Sequence, residues 1–155
     1  SDLLRNKVLV DGYQGETETE VLPPLDNYND LKLESADGVK TSIPDISKKK
    51  VVLYYHWFSS CFPCKMARPL IDSITEHVDE VEVIGLNSID DWEIITFQSK
   101  DDPFTTYVPY NSTSKEKFQL SPYFLISVKD SFVYRSYGWN DSLKNDLKIH
   151  IFLHN

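Results

Sequence analysis

The sequence predicts an α/β fold in which a central mixed β-sheet is flanked by helices. Two β-branched and aromatic runs, Val51–Trp57 and Val81–Leu86, indicate strands, and the first of them indicates a strand buried on both faces. The segment between them carries apolar residues at four-residue steps, which predicts a helix. Two more strand patterns and an amphipathic helix follow later in the chain. With 155 residues, these elements fit one domain.

The N-terminal part of the chain has the weakest pattern. We predict an N-terminal extension or linker over residues 1–30, with a possible short strand at Lys7–Val10, and a domain over residues 31–155. The segments Leu31–Leu33 and Val39–Ile43 flank an Ala-Asp-Gly turn signal between alternating residues. This pattern predicts a β-hairpin ahead of the core strands.

The helix after the first buried strand is expected to face the core with one apolar stripe. Its predicted members are Met66, Leu70, Ile71, Ile74 and Val78. Pro69 lies inside this helix and removes an amide donor, so we expect a kink there.

The second half of the chain continues with elements that have clear start signals. Polar residues Ser88–Asp91 and Asn140 or Asp141 are typical helix caps. The segment Asn111–Lys117 is polar and of uncertain helicity. The predicted elements are a helix from Trp92 to about Lys100, a strand over Phe104–Tyr107, strands over Tyr123–Val128 and Phe132–Tyr137, and a last helix with Leu143, Leu147 and Ile151 on one face.

Charge and hydropathy restrict the possible partners. The net charge is −8 and the isoelectric point is near 4.9, which argues against nucleic acid or an anionic membrane surface as a partner. No apolar stretch approaches the eighteen or so residues of a membrane span, so we predict no membrane span in this chain.

The most informative motif is Cys61-Phe62-Pro63-Cys64, which holds the only two cysteines and directly follows the first buried strand. Two thiols at this spacing, where a strand ends and a helix begins, are typical of a reversible disulfide. The pair could instead be inert and merely buried. The helix start argues against that, because its free amides favour a thiolate.

A zinc site is the other alternative for these cysteines. His77 follows Cys64 after twelve residues, as in the first three ligands of a zinc finger, but no histidine follows at the spacing that would close the site. A continuous helix would also place His77 roughly 20 Å from the thiols. We therefore predict neither a metal nor a cofactor.

The order of these elements resembles a thioredoxin fold over Leu31–Leu153. It comprises a strand, the CxxC motif, a helix with proline five residues past the second cysteine, a strand, a helix, Ser121-Pro122 before an antiparallel hairpin, and a terminal helix. The leading hairpin, Val83–Asn87 and Arg135–Gly138 resemble the TlpA/ResA group of extracytoplasmic thiol-disulfide oxidoreductases. Eukaryotic tryparedoxins and nucleoredoxins share some of these features.

Three positions depart from the family pattern. The family commonly has Trp where Ser60 stands, thioredoxins carry a buried Asp where Tyr55 stands, and the TlpA/ResA group often has Glu where Ala67 stands. Trp57 does match a family tryptophan. Without either usual proton acceptor, deprotonation of Cys64 falls to water or to Tyr55, or turnover is slow.

His56 is the nearest substitute base in the sequence. Period-two alternation, however, places Tyr55 and Trp57 on one face of the strand and His56 on the other. We therefore interpret His56 as a hydrogen-bonded core histidine.

The remaining site residues surround the cysteine pair. Cys61, nearest the helix start, is the expected nucleophile, Cys64 resolves the mixed disulfide, and Pro63 suits the first helical turn. The resemblance implies that the Ser121–Pro122 bond is cis, and that the backbone of Ser121 pairs with an extended substrate. Phe62 is expected to be an exposed apolar contact. Trp57 is a substrate-binding candidate, with plain core packing as the alternative.

These residues lead to one main functional hypothesis. We expect a monomeric reductase of protein disulfides, outside the cytoplasm by family analogy and with any signal or anchor removed, that receives electrons from an upstream thiol donor. The absence of histidine or a cation between the cysteines favours a reductant over a strong oxidant. A redox-sensing or scaffold module without turnover, and a peroxide reductase, are the alternatives.

Overall fold

The computed structural model describes residues 9–15, 32–46, 49–111, 121–129 and 131–153. In these residues the chain forms one eight-stranded mixed sheet in the order β1-β8-β7-β4-β5-β6-β2-β3, which confirms the predicted α/β fold. The strands are β1 Val10–Gln14, β2 Lys32–Glu34, β3 Lys40–Ser42, β4 Val51–His56, β5 Val81–Leu86, β6 Thr105–Pro109, β7 Tyr123–Val128 and β8 Ser131–Tyr137.

The centre of the sheet is β4, which pairs in parallel with β5 and antiparallel with β7. Strand β6 continues the parallel part beside β5, and β8 continues the antiparallel part beside β7. All six residues of β4 are buried, as the sequence predicts for a strand covered on both faces. The predicted hairpin forms from β2 and β3 and extends the sheet through the antiparallel pairing of β2 with β6.

Within the described ranges, four helices accompany the sheet: α1 Ile43–Ile46, α2 Phe62–His77, α3 Trp92–Ser99 and α4 Asp141–Leu153. Two of the predicted caps are confirmed. The Asp91 side chain accepts a hydrogen bond from the Ile94 amide at 3.0 Å at the start of α3, and Asn140 accepts one from the Leu143 amide at 2.9 Å at the start of α4. None of the helices in the described segments is long and apolar enough to span a membrane.

The core has two parts, because successive side chains of β4 point to opposite faces of the sheet. Odd-numbered residues such as Leu53 and Tyr55 belong to the larger cluster, which also contains the buried faces of α2, α3 and α4. Even-numbered residues such as Tyr54 belong to a smaller cluster with β2, β5 and β7. Both cysteines belong to the larger cluster, so the disulfide is part of the main core.

The predicted stripe of α2 needs one correction. Leu70, Ile71 and Ile74 are buried, but Met66 is 51 % exposed, and the face is completed by Cys64 and Ala67 instead. Each four-residue step turns about 40° more than a full turn of 3.6 residues, so a stripe drawn in such steps leaves the buried face at Met66.

Several boundaries also differ from the prediction. Strand β1 begins at Val10, where the possible Lys7–Val10 strand was expected to end, and runs to Gln14. It pairs in parallel with β8, so this part of the N-terminal extension lies in the sheet. Strand β6 is shifted to Thr105–Pro109. The polar segment Asn111–Lys117 lies outside the described residues beyond its first position.

Candidate active site

Cys61 and Cys64 form a disulfide at the N-terminus of α2, with their Cα atoms 5.2 Å apart. Cys61 is the N-cap of the helix, and its Sγ accepts a hydrogen bond from the Cys64 amide at 3.2 Å. Both residues are buried, with 3 % of Cys61 and 2 % of Cys64 exposed. After reduction, the same amide and the positive end of the helix dipole would favour negative charge on Cys61.

The two residues between the cysteines face outwards. Phe62 is 70 % exposed, as the sequence predicts, and Pro63 occupies the first turn of α2, where its missing amide donor leaves no helical bond unmade. Met66 follows Phe62 by four residues, so the two apolar side chains share one exposed face of the helix.

Trp57 packs in the core, which the sequence analysis gave as the alternative to a substrate contact. Its side chain is 4 % exposed, lies in the larger core cluster, and donates its indole N–H to Thr106 Oγ1 at 3.2 Å. It therefore supports the site from the core and does not offer an exposed contact face to a substrate.

Ser121 and Pro122 immediately precede β7, and the peptide bond between them is cis. Because Tyr123 and Leu86 both pair with His56 at the end of β4, this segment lies at the same edge of the sheet as the loop that carries the cysteines. Pro122 is buried, and its carbonyl accepts a hydrogen bond from the Gly138 amide at 2.8 Å.

His56 is fully buried and hydrogen-bonded, as predicted, and its partners lie in two different loops. Nδ1 is hydrogen-bonded to Ser121 Oγ, and Nε2 lies 2.9 Å from Ser88 Oγ and accepts the Ser88 amide at 3.1 Å. His56 thus connects the segment before β7 with the loop of residues 87–91 between β5 and α3, which we call the β5–α3 loop.

The β5–α3 loop is also tied to the cysteine loop. The Asp90 carboxylate accepts the Ser59 amide at 2.7 Å and the Ser59 hydroxyl at 3.0 Å. Asn87 donates its side-chain amide to Asp90 at 2.9 Å and accepts the amides of Ile89 and Asp90. These bonds fix the chain two residues before Cys61 to the end of β5.

Tyr55 occupies the position of the thioredoxin aspartate, and its hydroxyl donates a hydrogen bond to the Cys64 carbonyl at 2.8 Å. Burial raises the pKa of Tyr55 above its ordinary value, an effect that the nearby Arg68 partly opposes. The phenol is therefore protonated at neutral pH and cannot accept the proton of Cys64. Of the two acceptors left open by the sequence, water fits the structure better than Tyr55.

We expect Tyr55→Phe to change turnover far less than the roughly 10²-fold or more that removal of a general base causes. Loss of the hydrogen bond should lower the free energy of unfolding by about 1 kcal/mol. Because the folded pKa lies above the unfolded one, the neutral phenol stabilises the wild type below about pH 10, and this contribution is lost as the pH rises further. Rate profiles and urea titrations against pH test both points; a loss of turnover on the scale of a missing base would restore Tyr55 as the acceptor.

A polar cluster lies one turn beyond Cys64. Arg68 forms ion pairs with Asp72 at 3.2 Å and with Asp102, and its guanidinium lies 5.1 Å from the centre of the Phe104 ring. Burial raises the pKa of Asp102, and the Arg68 charge opposes that shift. Arg68 also lines, with Cys64 and Tyr55, a cleft of about 50 Å³. The cluster supports the second turn of α2 beside Cys64.

The structure does not bring His77 to the cysteines, because α2 runs without a break from Phe62 to His77 and separates them. In the described parts of the chain, no group of three or more His, Cys, Asp or Glu side chains is arranged to hold a metal ion.

The sequence analysis missed Asn87, Asp90, Arg68 and Asp102 as parts of the site. One available signal was that β4 and β5 are neighbouring strands whose carboxyl ends meet at one edge, where the loops of α/β folds collect functional side chains. For Arg68 and Asp102 no comparable signal exists, because 34 residues separate them and their pairing depends on how α3 packs.

Comparison with known proteins gives a consistent answer about the fold. No family model matches the chain. A curated thioredoxin-like protein of Haemophilus influenzae is 25 % identical over 97 residues, which cover 62 % of this chain and 58 % of that protein. The chain therefore matches a little over half the length of that relative.

Solved structures resemble much more of the chain. For dsbF of Mycobacterium tuberculosis the TM-score is 0.68 at 13 % identity, covering 87 % of this chain and all (100 %) of that one. The chain has a thioredoxin fold. A secreted Mycobacterium tuberculosis disulfide oxidoreductase homologous to DsbE matches this thioredoxin fold with a TM-score of 0.62 at 12 % identity, covering 80 % and 98 % of the two chains. The exposed lipoprotein thioredoxin Etrx1 of Streptococcus pneumoniae gives 0.60 at 18 % identity, covering 77 % and 96 %.

The predicted thioredoxin fold is thus confirmed. Within this thioredoxin fold the disulfide lies at the start of the helix that follows the central strand. A disulfide in this position, with an amide directed at the first sulfur, is suited to thiol–disulfide exchange.

Proposed function

We propose that this protein is a thiol-disulfide oxidoreductase that reduces disulfides in other proteins in the cell envelope. The observation that carries the proposal is the Cys61–Cys64 disulfide at the N-terminus of α2, next to the exposed ring of Phe62. A reversible cysteine pair beside an exposed apolar side chain fits a protein substrate.

The reaction proceeds by two exchanges. In the reduced protein the Cys61 thiolate attacks one sulfur of the substrate disulfide, which forms a mixed disulfide and releases the first substrate thiolate. The Cys64 thiolate then attacks Cys61 Sγ, which restores the Cys61–Cys64 disulfide and releases the second substrate thiolate. Two electrons pass to the substrate, and an upstream thiol donor returns the pair to its reduced state.

The assignment of roles rests on the helix start. Cys61 is the N-cap and accepts the Cys64 amide, so its thiolate is the better stabilised of the two. Cys64 lies inside the first turn, against the Tyr55 side of the core. The proton of Cys64 passes to water, since neither Tyr55 nor Ala67 supplies a base.

The substrate is an extended segment of a protein. Phe62 and Met66 provide an apolar contact beside the cysteines. By resemblance to the family, the backbone of Ser121, next to the cis bond to Pro122, pairs with the substrate chain as an added strand would. Placement in the cell envelope is supported by the secreted and surface-exposed character of two of the similar structures.

The direction of exchange is the first property to measure. We expect the reduction potential of the Cys61/Cys64 pair, equilibrated with dithiothreitol buffers, to be about −250 mV or lower, on the scale where thioredoxin lies near −270 mV. We also expect the reduced protein to cleave the disulfides of insulin, and a Cys61→Ser/Cys64→Ser control to show only the background rate. A potential near the oxidising end would make the protein a disulfide donor or isomerase.

A redox-sensing module without turnover is the second candidate, because both cysteines are almost completely buried and Tyr55 is not a base. In that case the pair would change its redox state in the buffers, but the reduced protein would not cleave insulin. The same experiment therefore separates the two functions.

A further inference from the structure

His56 occupies an unusual place for a polar residue. It is the last residue of β4 and is 0 % exposed, between Leu86 of β5 and Tyr123 of β7. A buried imidazole costs free energy unless its nitrogens are hydrogen-bonded, and an apolar residue of similar volume would avoid that cost. The position therefore calls for an explanation beyond packing.

The hydrogen bonds define the tautomer of the ring. A backbone amide can only donate, so Nε2, which receives the Ser88 amide at 3.1 Å, is unprotonated. In the neutral ring the proton is then on Nδ1, which donates to Ser121 Oγ. Donor and acceptor are thus directed into two different loops.

Both loops lie at the end of the sheet where β4 leads into the cysteine loop. Ser121 precedes the cis bond to Pro122, and Ser88 lies in the β5–α3 loop, which Asp90 ties to Ser59 of the cysteine loop. A chain of hydrogen bonds therefore runs from Ser121 through His56 to the β5–α3 loop and on to the cysteine loop.

We propose that His56 is a positioning residue for polypeptide substrates. By holding Ser121 in a fixed relation to the β5–α3 loop, it presents the Ser121 backbone to an extended polypeptide disulfide, while the sulfur chemistry itself does not use it. This inference deepens the proposed function and rests on it. It distinguishes polypeptide disulfides, which need the Ser121 backbone, from small disulfides, which need only the thiolate.

The test compares His56→Phe with Val52→Ala. Val52 lies on the same strand and the same sheet face, at the opposite end of β4, so its variant controls for loss of core packing. For His56→Phe we expect KM for insulin to rise about tenfold, because the Ser121 backbone is no longer held in place for the substrate chain, with kcat nearly unchanged. The rate with hydroxyethyl disulfide should stay at the wild-type value. Val52→Ala should change neither constant.

Conservative variants identify which hydrogen bond matters. The Asn amide of His56→Asn places a donor near the position of Nδ1, and the Gln amide of His56→Gln places an acceptor near that of Nε2. We expect His56→Asn to recover most of the affinity for insulin and His56→Gln to recover less. We expect Ser121→Ala to raise KM for insulin, and the combination with His56→Phe to add little to either single variant.

A second measurement does not depend on catalysis. We expect the Ser88 amide to exchange its hydrogen about tenfold faster in His56→Phe than in Val52→Ala, because it has lost its acceptor. Equal losses with insulin and hydroxyethyl disulfide, or an unchanged Ser88 exchange rate, would overturn the role of His56. Failure of the wild type to reduce insulin would instead refute the proposed function, and the exchange measurement would still decide whether His56 holds the loop.

Discussion

Replacing Cys64 with serine is expected to trap the protein on its substrate, whereas replacing Cys61 with serine is expected to abolish exchange. Without Cys64, the Cys61 thiolate still attacks the substrate disulfide, but no thiol within the chain can expel the product. Without Cys61, the remaining thiol lies inside the first helical turn and not at the N-cap, where Cys61 Sγ accepts the Cys64 amide. Steady-state insulin reduction should fall by at least about 10³-fold in both variants, since removal of a nucleophile typically costs this much or more.

The two variants should therefore differ in their products and not in their steady-state rates. Incubation of reduced Cys64→Ser with disulfide-bonded insulin should give a covalent adduct of one protein and one insulin molecule, in which one insulin disulfide has been replaced by the mixed disulfide with Cys61. It should be visible by mass spectrometry under non-reducing conditions and released by dithiothreitol. Cys61→Ser should give no adduct.

Ser60→Ala is the matched control, because Ser60 is the exposed neighbour of Cys61 and stands where the family commonly has tryptophan. It should turn over at the wild-type rate. The reverse pattern, with an adduct on Cys61→Ser and none on Cys64→Ser, would exchange the roles of the two cysteines. It would also show that the N-cap amide does not select the nucleophile.

The elements that the sequence predicts well are those whose signals are local. The run from Val51 is buried on both faces because every residue in it is apolar or aromatic until His56, and the structure has a fully buried strand there. The caps Asp91 and Asn140 are equally local, since a short polar side chain needs only the next turn of its own helix.

The elements that it predicts poorly depend on distant partners. Strand β1 is an edge strand whose register is fixed by β8, more than a hundred residues later, so its own pattern carried little information. Arg68 and Asp102 similarly meet only after α2 and α3 have packed on the sheet.

In the active site, too, the sequence predicts the features that have a local signal and misses those that depend on distant residues. The CxxC spacing and its place after β4 point to Cys61 and Cys64 without any tertiary information. That His56 bonds Ser121 and Ser88 could not be predicted, because alternation assigns a sheet face and gives no information about which loops close over it. The period-two argument therefore placed His56 correctly and left its partners open.

Replacing Gly85 with alanine is expected to overpack the core beside the central strand. Gly85 lies in β5 between Tyr55 and Thr106. A Cβ at this position would overlap Thr106 Oγ1 and would lie 2.8 Å from Phe104 Cε2, so both neighbours would have to move. We expect a loss of about 1–3 kcal/mol in the free energy of unfolding, measured by urea titration, as is typical of an overpacked core.

The displacement should reach the indole of Trp57, because Thr106 Oγ1 accepts its N–H. We expect the Trp57 Nε1–H resonance to shift and its hydrogen exchange to accelerate in Gly85→Ala. Gly38→Ala is the control: Gly38 has a φ of 79° and nothing within 4 Å of an added Cβ. Its alanine variant should lose stability through backbone strain alone, without any change at Trp57.

A double variant tests the cause of the Gly85 effect. Thr106→Ala removes both the overlapping oxygen and the acceptor of the Trp57 N–H, so it has its own cost. If crowding against Thr106 is the mechanism, Gly85→Ala combined with Thr106→Ala should be less destabilising than the sum of the single variants, by about 0.5–3 kcal/mol. Additive losses would instead attribute the Gly85 effect to Phe104. In that case Gly85 would be required for the packing of Phe104 against Tyr55 beside Cys64, and not for the support of Trp57.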